Sequence, residues 1–493
     1  MIPYFKNLKP IHQILLVALL FRVIAAIFSQ GYGMHDDHFL IIESSGSWVD
    51  GYDYNHWLPW SEGNTGLPEG HSFTYVGLNY VLFALLKGFG IADPKMLMLI
   101  NRLVHALVSL WVVYFGYRIT EKLSDEKLAT RVGWILALLW ALPILSVRNL
   151  VEMTAIPLVM ASVWYQLKGN RSTYILYAGI FIGLATSFRY QIGVYALAVA
   201  AIYFFTWRFK DWFLYCVGVL LTFSLTQGFV DYLIWGYPFA ELQGYITYNL
   251  NEGTSYMPNK NYFMYFLVLM GVMLFPLGIL TMIGFFKSAK KYFIVFLPTF
   301  IFILFHTIYP NRQERFVLSI LPLFILLGIL GYEQLRSRKI WDKIWRPSWV
   351  AFWSLNIPIL LMACFVYSKK SRVEAMYSLY EDGIQHEHIL LEGSGNGNVS
   401  MMPVFYSGDW HYNFKDRTDS LSALKDSNDH FDYIFFFDEQ SLNQRIAAYQ
   451  SIYPQMELHK KSEPSFVDVL LRKINPRNKN EYIEVWKTND QKP

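Results

Sequence analysis

Cysteine and charge are both scarce in this chain. Cys216 and Cys364 are its only two cysteines, and both lie inside apolar runs, which argues against a disulfide framework or a thiolate site. Only 16% of the 493 residues are charged while 54% are hydrophobic, against roughly 25% charged in an average soluble chain. Neither common glycine-rich phosphate loop occurs, so a soluble nucleotide cosubstrate is not indicated. There is no convincing internal repeat. No small-residue cleavage signal follows the first apolar run, which therefore reads as a retained helix rather than a removed signal peptide. The formal net charge of +4 comes from clustered loop lysines and arginines, a pattern that orients a protein in a membrane rather than binding nucleic acid.

What the chain does have is apolar runs of about 17 to 22 residues, the length a helix needs to cross roughly 30 Å of hydrocarbon. A β-barrel would need shorter, alternating segments. Eleven spans are expected, at about 11–30, 101–119, 129–147, 152–167, 173–188, 191–207, 212–230, 262–285, 292–309, 316–332 and 349–367. The segment 75–89 is apolar but short, and reads as an interfacial or partly inserted helix within a first outer loop at 31–100. Basic residues mark the cytoplasmic loops: Lys6 and Lys9, then Arg118 to Arg131, Lys287 to Lys291 and Arg336 to Arg346. The fold class expected is therefore membrane all-α over residues 1–368. Residues 369–493 mix acidic and basic residues with apolar segments at 432–437 and 466–471 that read as strands, so a small soluble α/β domain outside the membrane is expected there. His386, His388 and His411 lack a clear further ligand and read as ordinary surface histidines.

The outer side collects a second kind of residue. The stretch Gly31 to Glu43, GYGMHDDHFLIIE, places Asp36 and Asp37 beside His35 and His38 where the first span leaves the bilayer. Arg148, Glu152, Arg189, Asp231, Arg312, Glu314 and Arg315 recur at other outer turns. Charges at span ends that topology does not require are costly near hydrocarbon unless paired or used. Arg22 lies near the middle of the first span and reads as a buried ion pair, or as a phosphate ligand or orienting partner for the acidic pair. An outer carboxylate among arginines fits transfer from an anionic lipid-phosphate donor. The carboxylate takes the acceptor hydroxyl's proton as it attacks, and planar guanidinium groups grip the departing phosphate. Each such arginine supplies on the order of 2–4 kcal/mol, by analogy with one oxyanion donor. A phosphate leaving group needs no general acid, so one essential carboxylate is enough.

These residues carry a resemblance. The chain resembles the multi-spanning GT-C glycosyltransferases and, within them, the mannosyltransferase family that builds N-glycan precursors and glycosylphosphatidylinositol anchors. The family's acidic pair after the first span is matched by Asp36-Asp37-His38-Phe39 with Glu43, the second acid having changed from Glu to Asp. Its loop motif is matched by Asp231, Gly236, Asn249, Gly253, Tyr256, Tyr262 and Tyr265. Its His-Lys-Glu-x-Arg-Phe segment corresponds to Asn311 to Phe316 followed by Pro322, with Asn311 in place of His and Gln313 in place of Glu. Arg148 with Glu152, and Arg189, match its Arg-bearing turns.

The resemblance implies a polyprenyl- or dolichyl-phosphate sugar donor, mannose by expectation, transferred with inversion to a hydroxyl of a lipid-linked or envelope glycan. It implies Asp36 as general base with Asp37 the alternative, and His38 a further candidate. Arg315, Arg312 and Arg189 become phosphate-clamp candidates, and Glu43, Asp231 and Glu152 positioning groups, with Arg148, Tyr256 and Glu314 in the substrate-binding set. No cofactor is expected, a divalent metal at the acidic pair being left open. The localisation expected is a bacterial inner membrane, with a cytoplasmic N-terminus and the active site outside. Two other classes stay open. A glycan ligase or polymerase using a diphosphate-linked donor would share the outer arginines, and a polytopic transporter would show paired repeats and interrupted helices at mid-membrane.

Overall fold

The computed structural model describes residues 8–33, 37–64, 66–169, 171–252, 261–336, 339–393, 401–416, 430–474 and 482–489. Asp36 and Tyr256, with His35 and Gly253, lie outside the described residues. The chain divides into two compact units. One comprises Met1–Ile27, His56–Leu78 and Arg102–Phe365, and the other Phe28–Asn55, Asn79–Asn101 and Val366–Pro493.

The first unit is helical, and each expected span is occupied by helix. Among the described residues five helices are long and apolar enough to cross a membrane: Pro10–Phe28, Pro94–Leu123, Phe209–Trp235, Glu314–Arg336 and Lys339–Cys364. Shorter apolar helices run over Phe73–Gly88, Ser172–Phe188, Ile192–Phe205 and Phe293–Ile308. The apolar stretch of Glu314–Arg336 is 89% buried against 22% for Phe209–Trp235, so the former is a central helix and the latter faces outward. Lipid supplies no hydrophobic drive between helices, so close packing must come from small residues. A Cβ on Gly284 would sit 1.9 Å from the Gly328 carbonyl oxygen, and one on Gly179 would sit 2.3 Å from that of Tyr215. Helix Leu277–Ser288 thus lies backbone to backbone on Leu321–Arg336, and Ser172–Phe188 on Phe209–Phe223.

Two expectations change here. The span expected at 262–285 is broken into Met264–Val272 and Leu277–Ser288, bent by 120°. Pro276, which has no N–H to continue the ladder, stands in the break. Among the described residues Arg22 is in no ion pair. It is fully buried and donates to Ser109 Oγ at 2.9 Å and to the carbonyls of Ala18, Leu136 and Ala137 at 3.2–3.3 Å. Helix Glu126–Leu138 ends at those last two carbonyls, which would otherwise lack donors. Arg22 therefore caps a helix C-terminus, where a cation is favourable.

The second unit contains a five-stranded sheet, with strands β1 His388–Glu392, β2 Asn413–Asp416, β3 Tyr433–Phe437, β4 Glu457–Ser462 and β5 Ile483–Lys487 in the order β2-β1-β3-β5-β4. β3, reading YIFFF, is buried at every position and holds the centre, parallel to β1 and antiparallel to β5. Leu390, Ile434, Phe436, Ile446, Tyr449 and Tyr453 pack together as its core. The strand expected at 466–471 is instead the helix Phe466–Ile474. Ser465 and Asp468 cap it reciprocally: the Asp468 N–H donates to Ser465 Oγ at 3.2 Å, and the Ser465 N–H to Asp468 Oδ2 at 3.4 Å.

Candidate active site

The acidic stretch belongs to the second unit. It starts at Gly31, whose φ of +71° and pairing with Ser368 leave no room for a side chain, since a Cβ would fall 1.8 Å from the Ser368 carbonyl oxygen. Asp37 is buried and leads into a π-helical turn, His38–Glu43. Residues five apart point to different faces of an ordinary α-helix, but the wider π turn brings them into register. His38 Nε2 thus lies 3.1 Å from Glu43 Oε1. The second Glu43 oxygen accepts the Phe405 N–H at 2.7 Å. Burial raises the Glu43 carboxyl pKa, while His38 and the backbone donors pull it back. The His38 ring stacks between Tyr32 at 4.6 Å and Tyr406 at 5.6 Å. The imidazole next to Asp37 is therefore fixed on both faces and at one nitrogen.

The arginine-bearing turns belong to the first unit. Glu152, in the first turn of helix Val151–Lys168, is wholly buried. Arg189, which caps helix Ser172–Phe188, brings Nη2 to 2.9 Å from Glu152 Oε1, and Arg315 brings Nε to 3.6 Å from the same oxygen. The close approach is an ion pair without hydrogen-bond alignment: neither Glu152 oxygen nor Arg189 Nη2 has an aligned partner among the described residues. Phe316 lies under both guanidinium groups, 4.9 Å from that of Arg189 and 6.0 Å from that of Arg315. On the same turn Arg312 donates to the Thr307 carbonyl at 2.8 Å and stands over Tyr262 at 4.3 Å.

The remaining candidates are placed differently. Asp231 is fully buried below the outer loop, accepting from Gln227 at 2.7 Å and from the Glu241 N–H at 3.0 Å. Arg148 is buried in the turn before helix Val151–Lys168, and Glu314 is exposed. Two groups were not anticipated. Glu241 accepts from the N–H groups of Gly70 and His71 at 2.8 and 2.9 Å and from Trp235 Nε1 at 2.8 Å, and so anchors the loop at 68–72 to helix Ala240–Asn251. Burial raises the pKa of its carboxyl from an ordinary 4.5 to about 7. His306 is buried beside Phe302 and Phe316, and its Nε2 has no hydrogen-bond partner among the described residues. The backbone donors that Glu241 anchors lie 170 and 171 residues away, so no local pattern could have marked that role.

The sequence profile of the Alg9-like mannosyltransferase family matches residues 13–400. The chain belongs to the Alg9-like mannosyltransferase family. Among curated proteins it is similar to mannosyltransferase APTG1 of Arabidopsis thaliana, 23% identical over 333 residues, 66% of this chain and 59% of that protein. The chain thus aligns with less than two thirds of that relative's length. Among solved structures it is similar to ArnT from Cupriavidus metallidurans bound to undecaprenyl phosphate, with a TM-score of 0.61 at 11% identity over 97% of this chain and 98% of that one. It is also similar to an oligosaccharyltransferase from Archaeoglobus fulgidus, with a TM-score of 0.53 at 13% identity over 89% of this chain and 69% of that one. At such identities the likeness is one of fold, the GT-C fold. Family and fold are those of integral membrane glycosyltransferases.

Proposed function

We propose that this protein is an inverting glycosyltransferase that moves a hexose, mannose first among them, from a polyprenyl-phosphate sugar to a hydroxyl of a lipid-linked or envelope glycan. The observation that carries the reading is the buried group of Glu152, Arg189 and Arg315. Two guanidinium groups face one carboxylate and leave an excess of positive charge, with a buried Arg189 donor that, although 2.9 Å from Glu152 Oε1, meets no aligned acceptor among the described residues. A buried donor in that state calls for an explanation, and a phosphate oxygen supplies one. Arg312, on the same turn as Arg315, adds a third guanidinium.

The chemistry follows. A carboxylate of the Asp36–Asp37 pair takes the acceptor proton as the hydroxyl oxygen attacks the anomeric carbon. The bond from that carbon to the phosphate oxygen breaks, and the arginines take up the charge developing on the leaving phosphate. Attack from the face opposite the leaving group inverts the anomeric centre. A sugar hydroxyl is too weak an acid to be deprotonated beforehand, so proton transfer accompanies attack. His38, held by Glu43 and two aromatic rings, orients the stretch that bears the pair. The undecaprenyl phosphate in the ArnT structure, and the dolichol-phosphate in a complex of AglB from Archaeoglobus fulgidus, support a polyprenyl-phosphate carrier. On this reading the membrane is a bacterial inner membrane with the N-terminus cytoplasmic. Residues 1–368 form the catalytic domain, and residues 369–493 face the periplasm together with the active site.

The test is a donor panel. Purified protein in nanodiscs is given labelled polyprenyl-phosphate mannose, glucose, galactose and arabinose, and a diphosphate-linked oligosaccharide, with envelope lipid extract as acceptor. Transfer from a monophosphate donor with an inverted linkage is expected. Transfer from the diphosphate donor alone would replace this reading with the ligase one.

A further inference from the structure

We propose that His386, Asp409 and His411 form a Zn²⁺ site at the edge of the five-stranded sheet. β1 and β2 are parallel neighbours, with His388 opposite Asn413. Parallel strands begin at the same end of a sheet, so the residues just before each strand lie side by side. Those residues are His386 on one side, and Asp409 and His411 on the other.

The side chains converge. His386 Nδ1 is 3.1 Å from Asp409 Oδ2, and His411 Nδ1 is 3.1 Å from Asp409 Oδ1. The two imidazoles stack, with centroids 4.7 Å apart and planes 20° from parallel, so both present the same edge to one carboxylate. The three candidate ligand atoms all lie within 4.8 Å of one another. Around a tetrahedral ion with bonds of about 2.0–2.1 Å, ligand atoms stand about 3.3 Å apart. The two 3.1 Å approaches are to different oxygens of the carboxylate, so whichever oxygen binds, one separation is already close to that, and both histidines are more than half exposed and can rotate inward.

The carboxylate is the fixed member of the set. Asp409 is buried, and accepts the N–H groups of His386 and Trp410 at 2.8 Å each. Metal-binding carboxylates are oriented by such outer hydrogen bonds. His386 also sits at φ +60°, a left-handed conformation that a non-glycine residue keeps only when its surroundings demand it. Two imidazole nitrogens and one carboxylate oxygen suit Zn²⁺ better than Ca²⁺ or Mg²⁺, which take oxygen-rich shells. Three protein ligands leave a fourth position for water or an external group. His388, the other half of the His-x-His pattern, is not among the converging residues.

The experiment uses full-length protein without a polyhistidine tag, stripped with chelator and titrated with ZnCl₂ by calorimetry, with bound zinc counted by mass spectrometry. Wild type and His388→Ala should each bind one Zn²⁺ with micromolar or tighter affinity. His386→Ala and His411→Ala should bind at least about 100-fold more weakly, since loss of an outer-shell partner alone costs 10–100-fold. His386→Gln and His411→Gln serve as second variants if an alanine variant melts early without metal. No binding by wild type, or equal binding by wild type and the 386 and 411 variants, would overturn the assignment.

Discussion

Glu43 and Glu152 carry the same side chain and are both wholly removed from solvent, yet their oxygens are treated in opposite ways. Both Glu43 oxygens are spoken for, one by His38 and one by the Phe405 N–H. Among the described residues neither Glu152 oxygen meets an aligned donor, although Arg189 stands 2.9 Å away. A carboxylate with filled acceptors holds its neighbours in place, and Glu43 does this for His38. A carboxylate that only balances charge leaves donors available, and Glu152 does this for Arg189. By burial the two are alike, whereas their hydrogen bonds assign them different work.

Four variants test that contrast. Glu152→Gln keeps the shape and removes the charge, leaving two partly buried guanidinium groups without their counter-ion. A stability loss of about 3 kcal/mol is expected, the low end for breaking a buried pair because both arginines keep some exposure. Thermal melts in nanodiscs with and without polyprenyl phosphate read it, and added phosphate lipid should recover part of the loss. Arg189→Gln should lower transfer by 10²–10³, about 3 kcal/mol of transition-state charge stabilisation, with a smaller stability loss than Glu152→Gln. Steady-state rates checked against donor binding separate the two effects.

Glu43→Gln retains an acceptor for the Phe405 N–H and weakens only the His38 contact, so about 2 kcal/mol or less is expected, unaffected by phosphate lipid. Rescue of this variant by phosphate lipid would erase the distinction between the two glutamates. Glu241 gives the clearest pH signature. Its folded pKa is about 7 against an ordinary 4.5, so between those values the folded chain binds the proton that the unfolded chain has lost. Wild type should therefore lose stability relative to Glu241→Gln as pH rises from about 4.5 to 7, by on the order of 3 kcal/mol, and level off above that. Parallel melts from pH 4.5 to 8 check it.

The helical stretches were legible because a bilayer demands long apolar runs, and helix occupies each of the eleven expected stretches, though among the described residues only five helices are long and apolar enough to cross a membrane. The acidic stretch and the outer arginines were legible because charge at a span end is costly. What stayed hidden rests on distant partners or on competing local signals. Phe405 meets Glu43 across 362 positions, and no pattern near Glu43 announces it. Arg22 looked like half of an ion pair, because its carbonyl acceptors become available only where helix Glu126–Leu138 ends. The segment 466–471 looked like a strand from its apolar content, while Ser465 and Asp468 already spelled a helix start. Pro276 stood in plain sight, but a run of apolar residues on both sides hid the break it makes.

The measurement closest to the central claim compares Asp36→Asn and Asp37→Asn with wild type, using polyprenyl-phosphate mannose, or whichever monophosphate donor the panel selects, and a direct donor-binding readout. A base that takes the acceptor proton predicts that one carboxamide variant loses transfer by 10² or more while donor binding is retained. Wild-type transfer rates in both variants would contradict the account.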